Sequence, residues 1–189
     1  GNFVVVRDAL KRWRGEEIRW LLLSAHYRQP LDWTEAGLQQ ARSNLDRVYT
    51  ALRRSDEASE STTPDSGLER VRSALRDDFN TPLAFTELMA LVGRLNRADV
   101  AIERAALAAA IRAAGALLGV AGGNTESWFQ TGSNELAAEE IDALIAKRKA
   151  ARDGKDFATS DHIRDALMDQ GVVLEDGPDG TTWRYQADS

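Results

Sequence analysis

Six residues near the end of the chain carry the groups best suited to selective recognition: Arg148, Arg152, Lys155, Asp161, Asp176 and Trp183. A guanidinium is a planar donor fork that fits guanine O6 and N7, and a carboxylate accepts from amino groups on base edges. An aromatic ring offers a stacking face worth about 1–3 kcal/mol per base. Arg152, Lys155 and the Lys147-Arg148-Lys149 run fall at the junction of two short amphipathic segments. Asp161 lies on the exposed side of the second segment, opposite Ile163 and Leu167. Asp176 ends a strand-like stretch, and Trp183 lies in the next one. The same residues also fit a plainer reading, a surface of salt bridges with Trp183 in a core. The pattern alone leaves both open.

Signatures of bond-making chemistry are missing. No glycine-rich phosphate loop follows a strand, and there is no H-E-x-x-H and no nucleophile elbow. Asp77 and Asp78 are adjacent carboxylates, but neighbours in sequence point to different faces of a helix, so they read as a solvated helix end. His26, beside Tyr27 and Arg28, reads as a residue closing a helix, with phosphate contact as the other possibility. The chain has no cysteines, and His26 and His162 are far apart, so neither disulfides nor a metal site is expected. No catalytic or cofactor-binding residue is assigned.

The elements that must hold the recognition groups follow from periodicity. Asp8–Arg14 and Glu16–Tyr27 read as helices separated at Gly15, with Ile18, Leu21, Leu22 and Ala25 inward. Thr34 caps a long helix whose Leu38, Ala41, Leu45, Val48 and Leu52 repeat at bundle spacing. A polar stretch over 55–67 reads as a loop. Helices follow around Leu68–Leu75, from the Thr81 cap and Pro82 to Leu95, and from Ile102 to Leu118 before Gly119. Gly122 opens a linker in which Trp128 and Phe129 anchor on the bundle. Beyond it, Ile141, Leu144 and Ile145 mark one helix. Asp156 caps a second, with Phe157, Ile163, Ala166 and Leu167 inward, and Gly171 stops it. Val172–Asp176 and Thr181–Tyr185 then form a β-hairpin, which must pack on these helices because a lone ribbon is marginal. The expected fold is mainly α: an antiparallel helical bundle followed by a small αα plus β-hairpin domain.

Charge is unevenly spread over the 189 residues, whose net is −6. Residues 1–54 carry ten Lys/Arg against six Asp/Glu, a net of +4, whereas residues 126–189 carry seven against fourteen, a net of −7. Bulk phosphate binding relies on Lys/Arg and counterion release. Any nucleic-acid contact made by so acidic a C-terminal region must therefore depend on base edges and rings. No apolar run approaches the ~18 residues of a membrane span, and no secretory leader opens the chain, which begins at Gly1 without a Met.

A set of short segments, in order along the whole chain, resembles the C-terminal part of bacterial cysteinyl-tRNA synthetase. They are Gly1-Asn2-Phe3, Val6-Arg7-Asp8, His26-Tyr27-Arg28, Pro30-Leu31-Asp32, Asp78-Phe79-Asn80-Thr81-Pro82, Ile163-Arg164-Asp165, Leu174-Glu175-Asp176 and Gly180-Thr181-Thr182-Trp183-Arg184. In that family the G-N-F segment follows the K-M-S-K-S loop. The resemblance implies a stem-contact segment over 1–32, a tRNA-binding helical bundle over 33–121, a linker over 122–135 and an anticodon-binding domain over 136–189. It places Arg152, Asp161 and Asp176 at anticodon-reading positions and Phe157 and Trp183 at aromatic ones, for the GCA anticodon of cysteine tRNA. Zinc, ATP and the catalytic domain would belong upstream, so this part by itself would be inactive. The implied partners are cysteine tRNA and that domain, in a cytoplasmic, monomeric enzyme of translation. Two alternatives are weighed: a related cysteine ligase of thiol biosynthesis, which the intact Ile141–Arg184 module disfavours, and a non-catalytic helical scaffold.

Overall fold

The computed structural model describes residues 4–55, 65–130, 137–177 and 180–185, as two compact units, residues 1–125 and 126–189. Among the described residues the first unit is helical: α1 (Val6–Ala9), α2 (Gly15–Leu23), α3 (Glu35–Arg53), α4 (Gly67–Arg76), α5 (Thr81–Leu95) and α6 (Ala101–Leu118). A short α7 (Thr125–Gln130) spans the boundary between the units. The second unit holds α8 (Ala138–Asp153), α9 (Phe157–Asp169), β1 (Val172–Gly177) and β2 (Gly180–Tyr185).

The bundle core is the one its periodicity predicts. Leu38, Ala41, Leu45, Val48 and Leu52 of α3 are all buried, as are Leu88, Leu91, Val92 and Leu95 of α5 and Leu107, Ile111, Ala114 and Leu118 of α6. Thr34 caps α3 by accepting from the Gly37 N–H at 3.0 Å. Gly119, at φ 70°, closes α6 in the left-handed conformation that glycine adopts without a Cβ clash.

Four local expectations are corrected. Gly15 begins α2 instead of breaking a helix, because Glu17 reaches back to accept from the Arg14 N–H at 2.8 Å and caps the new first turn. The helix stops at Leu23, where the Ser24 hydroxyl takes the Leu21 carbonyl, and Leu22 faces out while Trp20 faces in. The Trp20 ring stacks on Phe85 of α5 at 4.1 Å. The cap of α5 is Asn80, one residue before Thr81, accepting from the Leu83 N–H at 3.1 Å. Part of the expected linker is helical, as α7. Most of the expected 55–67 loop, residues 56–64, lies outside the described residues, as do linker residues 131–136.

The chain leaves α6 through a clamp. The Glu16 carboxylate accepts from the Tyr49 hydroxyl at 2.9 Å and from the N–H groups of Ala121 and Gly122 at 3.3 and 3.4 Å. Gly123 N–H donates to the Tyr49 oxygen at 3.2 Å, and Arg19 donates to the Gly119 carbonyl. Burial is the largest cause pushing the Tyr49 hydroxyl pKa up to about 12, so it stays a donor.

In the second unit β1 and β2 pair antiparallel, with Leu174 opposite Trp183 and Asp176 opposite Thr181. The turn residues 178–179 lie outside the described set. Ile141 of α8, Leu167 of α9, Val172 and Trp183 form the core, with Leu144, Ile145, Ile163, Leu174 and Tyr185 packed around it. Each of α8, α9 and the ribbon is amphipathic and short, so none could persist without the others.

Candidate nucleic-acid interface

The interface is rooted in Arg148, a residue of the basic run on α8. Its side chain lies on the apolar stripe of α8, seven residues after Ile141, and is buried at 6% exposure. A buried guanidinium needs a partner. Asp176 supplies it bidentately, with Arg148 Nη1 to Oδ1 and Nη2 to Oδ2 both at 2.9 Å. Arg148 Nη1 also reaches Thr181 Oγ1 at 3.4 Å, and its Nε has no hydrogen-bond partner among the described residues.

Asp176 is placed for this by strand alternation. It shares a ribbon face with Val172 and Leu174, which enter the core, and it sits where that face meets the rim. It also accepts from the Thr181 hydroxyl at 2.6 Å, and Arg152 Nη1 lies 3.3 Å away. A carboxylate has about four lone-pair sites, and four donors already surround this one. The hydrogen bond from Arg148, followed by that from Thr181, holds the Asp176 carboxyl far below the usual carboxylate range. The bond to Asp176 likewise raises the Arg148 pKa, and the nearby Asp161 carboxylate adds to the same negative field.

Around this root the exposed groups are Arg152, Lys155, Phe157 and Asp161. Arg152 is bound to the root through Nη1 alone; its Nε and Nη2 donate to no acceptor among the described residues. Lys155 turns the chain from α8 into α9 at φ 60°, helped by Asp156 N–H donating to the Ala151 carbonyl at 2.8 Å. Asp156 then caps α9 by accepting from the Thr159 N–H at 3.1 Å. Phe157, expected inward, instead points out with 62% of its surface exposed, as does Ala166. Asp161 lies on the exposed side of α9, 3.9 Å from Arg164.

Two sequence-derived roles change. Trp183 is 2% exposed, and its indole N–H donates to Asp142 Oδ1 at 2.8 Å, so its faces are core surfaces and not stacking platforms. Arg148 and Asp176 are committed to each other, so neither offers an unoccupied base-reading edge. The fold thus gathers Arg148, Arg152 and Asp176 directly, brings Asp161 into their field, and sets Phe157 and Lys155 at the adjacent α8–α9 corner. Sequence reasoning missed Thr181 and Asp142. Thr181 was accessible from hairpin register, which sets it opposite Asp176; Asp142 had no local signal, since its partner is on another element.

Three family models match separate regions of the chain. Residues 135–184, which contain every residue just described, match the model of the cysteinyl-tRNA ligase anticodon binding domain. Residues 70–122 match the DALR domain, and residues 1–43 match the tRNA synthetases class I (C) catalytic domain. Over 97% of its length the chain is 51% identical to the cysteine–tRNA ligase of Rhodospirillum rubrum. Along nearly its whole length the chain is similar to cysteine–tRNA ligases.

It is 45% identical over 97% of its length to the cysteine–tRNA ligase of Parvibaculum lavamentivorans, and 42% over 98% to that of Haemophilus influenzae. It spans only 40–41% of the length of these cysteine–tRNA ligases. The catalytic-domain match runs through residue 43, so it includes the first half of α3 as well as the whole stretch resembling a stem-contact segment. No helix among the described residues is long and apolar enough to cross a membrane.

Proposed function

We propose that this chain is the tRNA-recognition part of a class I cysteinyl-tRNA synthetase, the whole protein attaching cysteine to its tRNA at the expense of ATP. The observation that carries this reading is the exposed Arg152–Phe157–Asp161 side of α8 and α9. It is braced by the buried Arg148–Asp176 pair, inside the stretch similar to an anticodon-binding domain. Arg152 supplies the donor fork, oriented by its single bond to Asp176. Asp161 supplies the acceptor, and Phe157 the stacking face. Lys155 adds a charge beside the backbone. The triplet read is GCA. Selection by edges and rings suits a region whose net charge of −7 repels polyanions.

This part contributes binding energy, not bond-making: remote contacts align the acceptor end of the tRNA for transfer. Catalytic residues, zinc and ATP are assigned to the catalytic domain of the whole protein, a cytoplasmic monomer, with which this part works.

The test is a gel shift with cysteine tRNA and with a tRNA whose anticodon is changed. Preference for the native triplet supports the reading, and equal affinity for both overturns it. In the full-length enzyme, Arg152→Ala or Asp161→Ala should raise KM for tRNA about tenfold or more and leave adenylate formation unchanged. An equal loss in adenylate formation would count against it.

A further inference from the structure

Arg148 occupies a position that suits an apolar side chain. It lies on the inward stripe of α8, its side chain is 8% exposed, and its Nε has no hydrogen-bond partner among the described residues. An orphaned buried donor costs free energy, and a buried ion pair replaced whole by apolar groups is often no less stable. Stability alone therefore does not account for a guanidinium here. Its effect is visible at its partner.

Asp176 is shared by two arginines, one buried and one exposed. Oδ1 accepts from Arg148 Nη1 at 2.9 Å and from the Thr181 hydroxyl at 2.6 Å. Oδ2 accepts from Arg148 Nη2 at 2.9 Å and from Arg152 Nη1 at 3.3 Å. Arg148 is sealed in the core and cannot reach a ligand, whereas the Arg152 side chain is 51% exposed. Of these bonds the one from Arg152 is the longest, and it goes to a carboxylate whose charge Arg148 already offsets.

Without Arg148, two lone-pair sites and the full negative charge of Asp176 would open beside Arg152, one helical turn further along α8. An arginine beside an unopposed carboxylate pairs with it bidentately, through two parallel bonds. Those bonds would use donors that a base edge needs. Thr181 acts in the same direction as Arg148. Its hydroxyl donates to Oδ1 and accepts from Arg148 Nη1 at 3.4 Å, which closes a ring on the inner side of the carboxylate.

We propose that Arg148, helped by Thr181, is a positioning residue for triplet selection: it occupies Asp176 from the inside, so that Arg152 is oriented by one long bond and keeps its remaining donors for a base edge. The inference rests on the anticodon reading above, and a measurement without RNA separates their failures. The whole chain is compared as wild type, Arg148→Met, Arg148→Lys and Thr181→Val, each with a thermal melt. NMR of the chain alone reads rotation of the Arg152 guanidinium, which bidentate pairing slows. Gel shifts read the preference for cysteine tRNA over the changed-anticodon tRNA. In Arg148→Met the rotation should slow and the preference should fall about 5-fold or more, through lost affinity for cysteine tRNA alone. Arg148→Lys keeps the inner charge and should retain most of the preference. Thr181→Val keeps a strand-favouring shape and should lower the preference about 2- to 5-fold; it decides the question if Arg148→Met does not fold. Unchanged Arg152 rotation in these variants overturns the inference, and so does an unchanged preference. A loss that falls equally on both RNAs, or that tracks a lowered melting point, also overturns it and leaves Arg148 as a brace only. A wild-type chain indifferent to the triplet overturns the anticodon reading instead, and the Arg152 rotation then decides the inference by itself.

Discussion

Two carboxylates organise polar clusters in this chain, and they do so in opposite ways. Asp176 and Asp78 each gather an arginine, a hydroxyl and a further basic side chain: Arg148, Thr181 and Arg152 in one case, Arg28, Tyr27 and His26 in the other. The Asp176 cluster is rooted in a buried arginine of α8, and its carboxylate stands on β1. The Asp78 cluster is exposed except for the half-buried His26, and it stands on backbone that costs about 1–2 kcal/mol for each left-handed residue. The difference separates two ways of anchoring a carboxylate. At Asp176 the exposed candidate groups and the core share the same bonds, so damaging one damages the other. At Asp78 the bonds are exposed and the backbone is strained, so losing them should cost the fold little.

The largest expected effect tests the shared foundation. Trp183→Ala should cost about 3–5 kcal/mol, enough to unfold the second unit, since so small a unit has little reserve. Hydrogen exchange should show residues 138–185 losing protection while the α3–α6 core keeps it. Protection retained in α8 and α9 would show that the ribbon is an appendage. Next, Asp176→Asn leaves Arg148 buried without its counter-charge and should cost about 1–3 kcal/mol. Arg148→Met combined with Asp176→Asn should recover part of that loss, measured as a double-mutant cycle in urea. Additive costs would mean the pair is not coupled.

A smaller effect is set by pH. The Asp176 pKa is depressed in the folded protein, so its contribution is full above the unfolded value of about 4 and is lost as pH falls below it toward the folded value. The carboxylate is about half exposed, so after screening the loss should be about 1 kcal/mol or less. It should be absent in Asp176→Asn. The smallest effect belongs to the other cluster: Tyr27→Phe removes the exposed bond to Asp78 and should change stability by about 0.5 kcal/mol or less. A loss as large as that of Asp176→Asn would erase the contrast between the two clusters.

Most of the fold was legible because it rests on local pattern. The α3 stripe, the Thr34 and Asp156 caps and the Gly119 stop are each decided within one or two turns of chain. The candidate site was legible by residue type and less so by direction. Arg148 lies between two lysines, and only the i+7 spacing from Ile141 marks it as the inward one. Phe157 and Trp183 are both aromatic, yet one is exposed and the other buried, because the register of the ribbon on α8 and the entry angle of α9 decide which ring faces the interior. Those are tertiary quantities with no short-range signal. The left-handed pair at Asp78-Phe79 was hidden for the opposite reason: residue type argued against the conformation adopted.

The grip of Glu16 and Tyr49 on residues 121–123 has a consequence for how the chain departs from the bundle. Backbone held by side chains from two other helices opens less readily than a helix end left to solvent. The departure point is therefore tied to the interior of the first unit, and loosening it means breaking bonds made by α2 and α3 as well as those of α6.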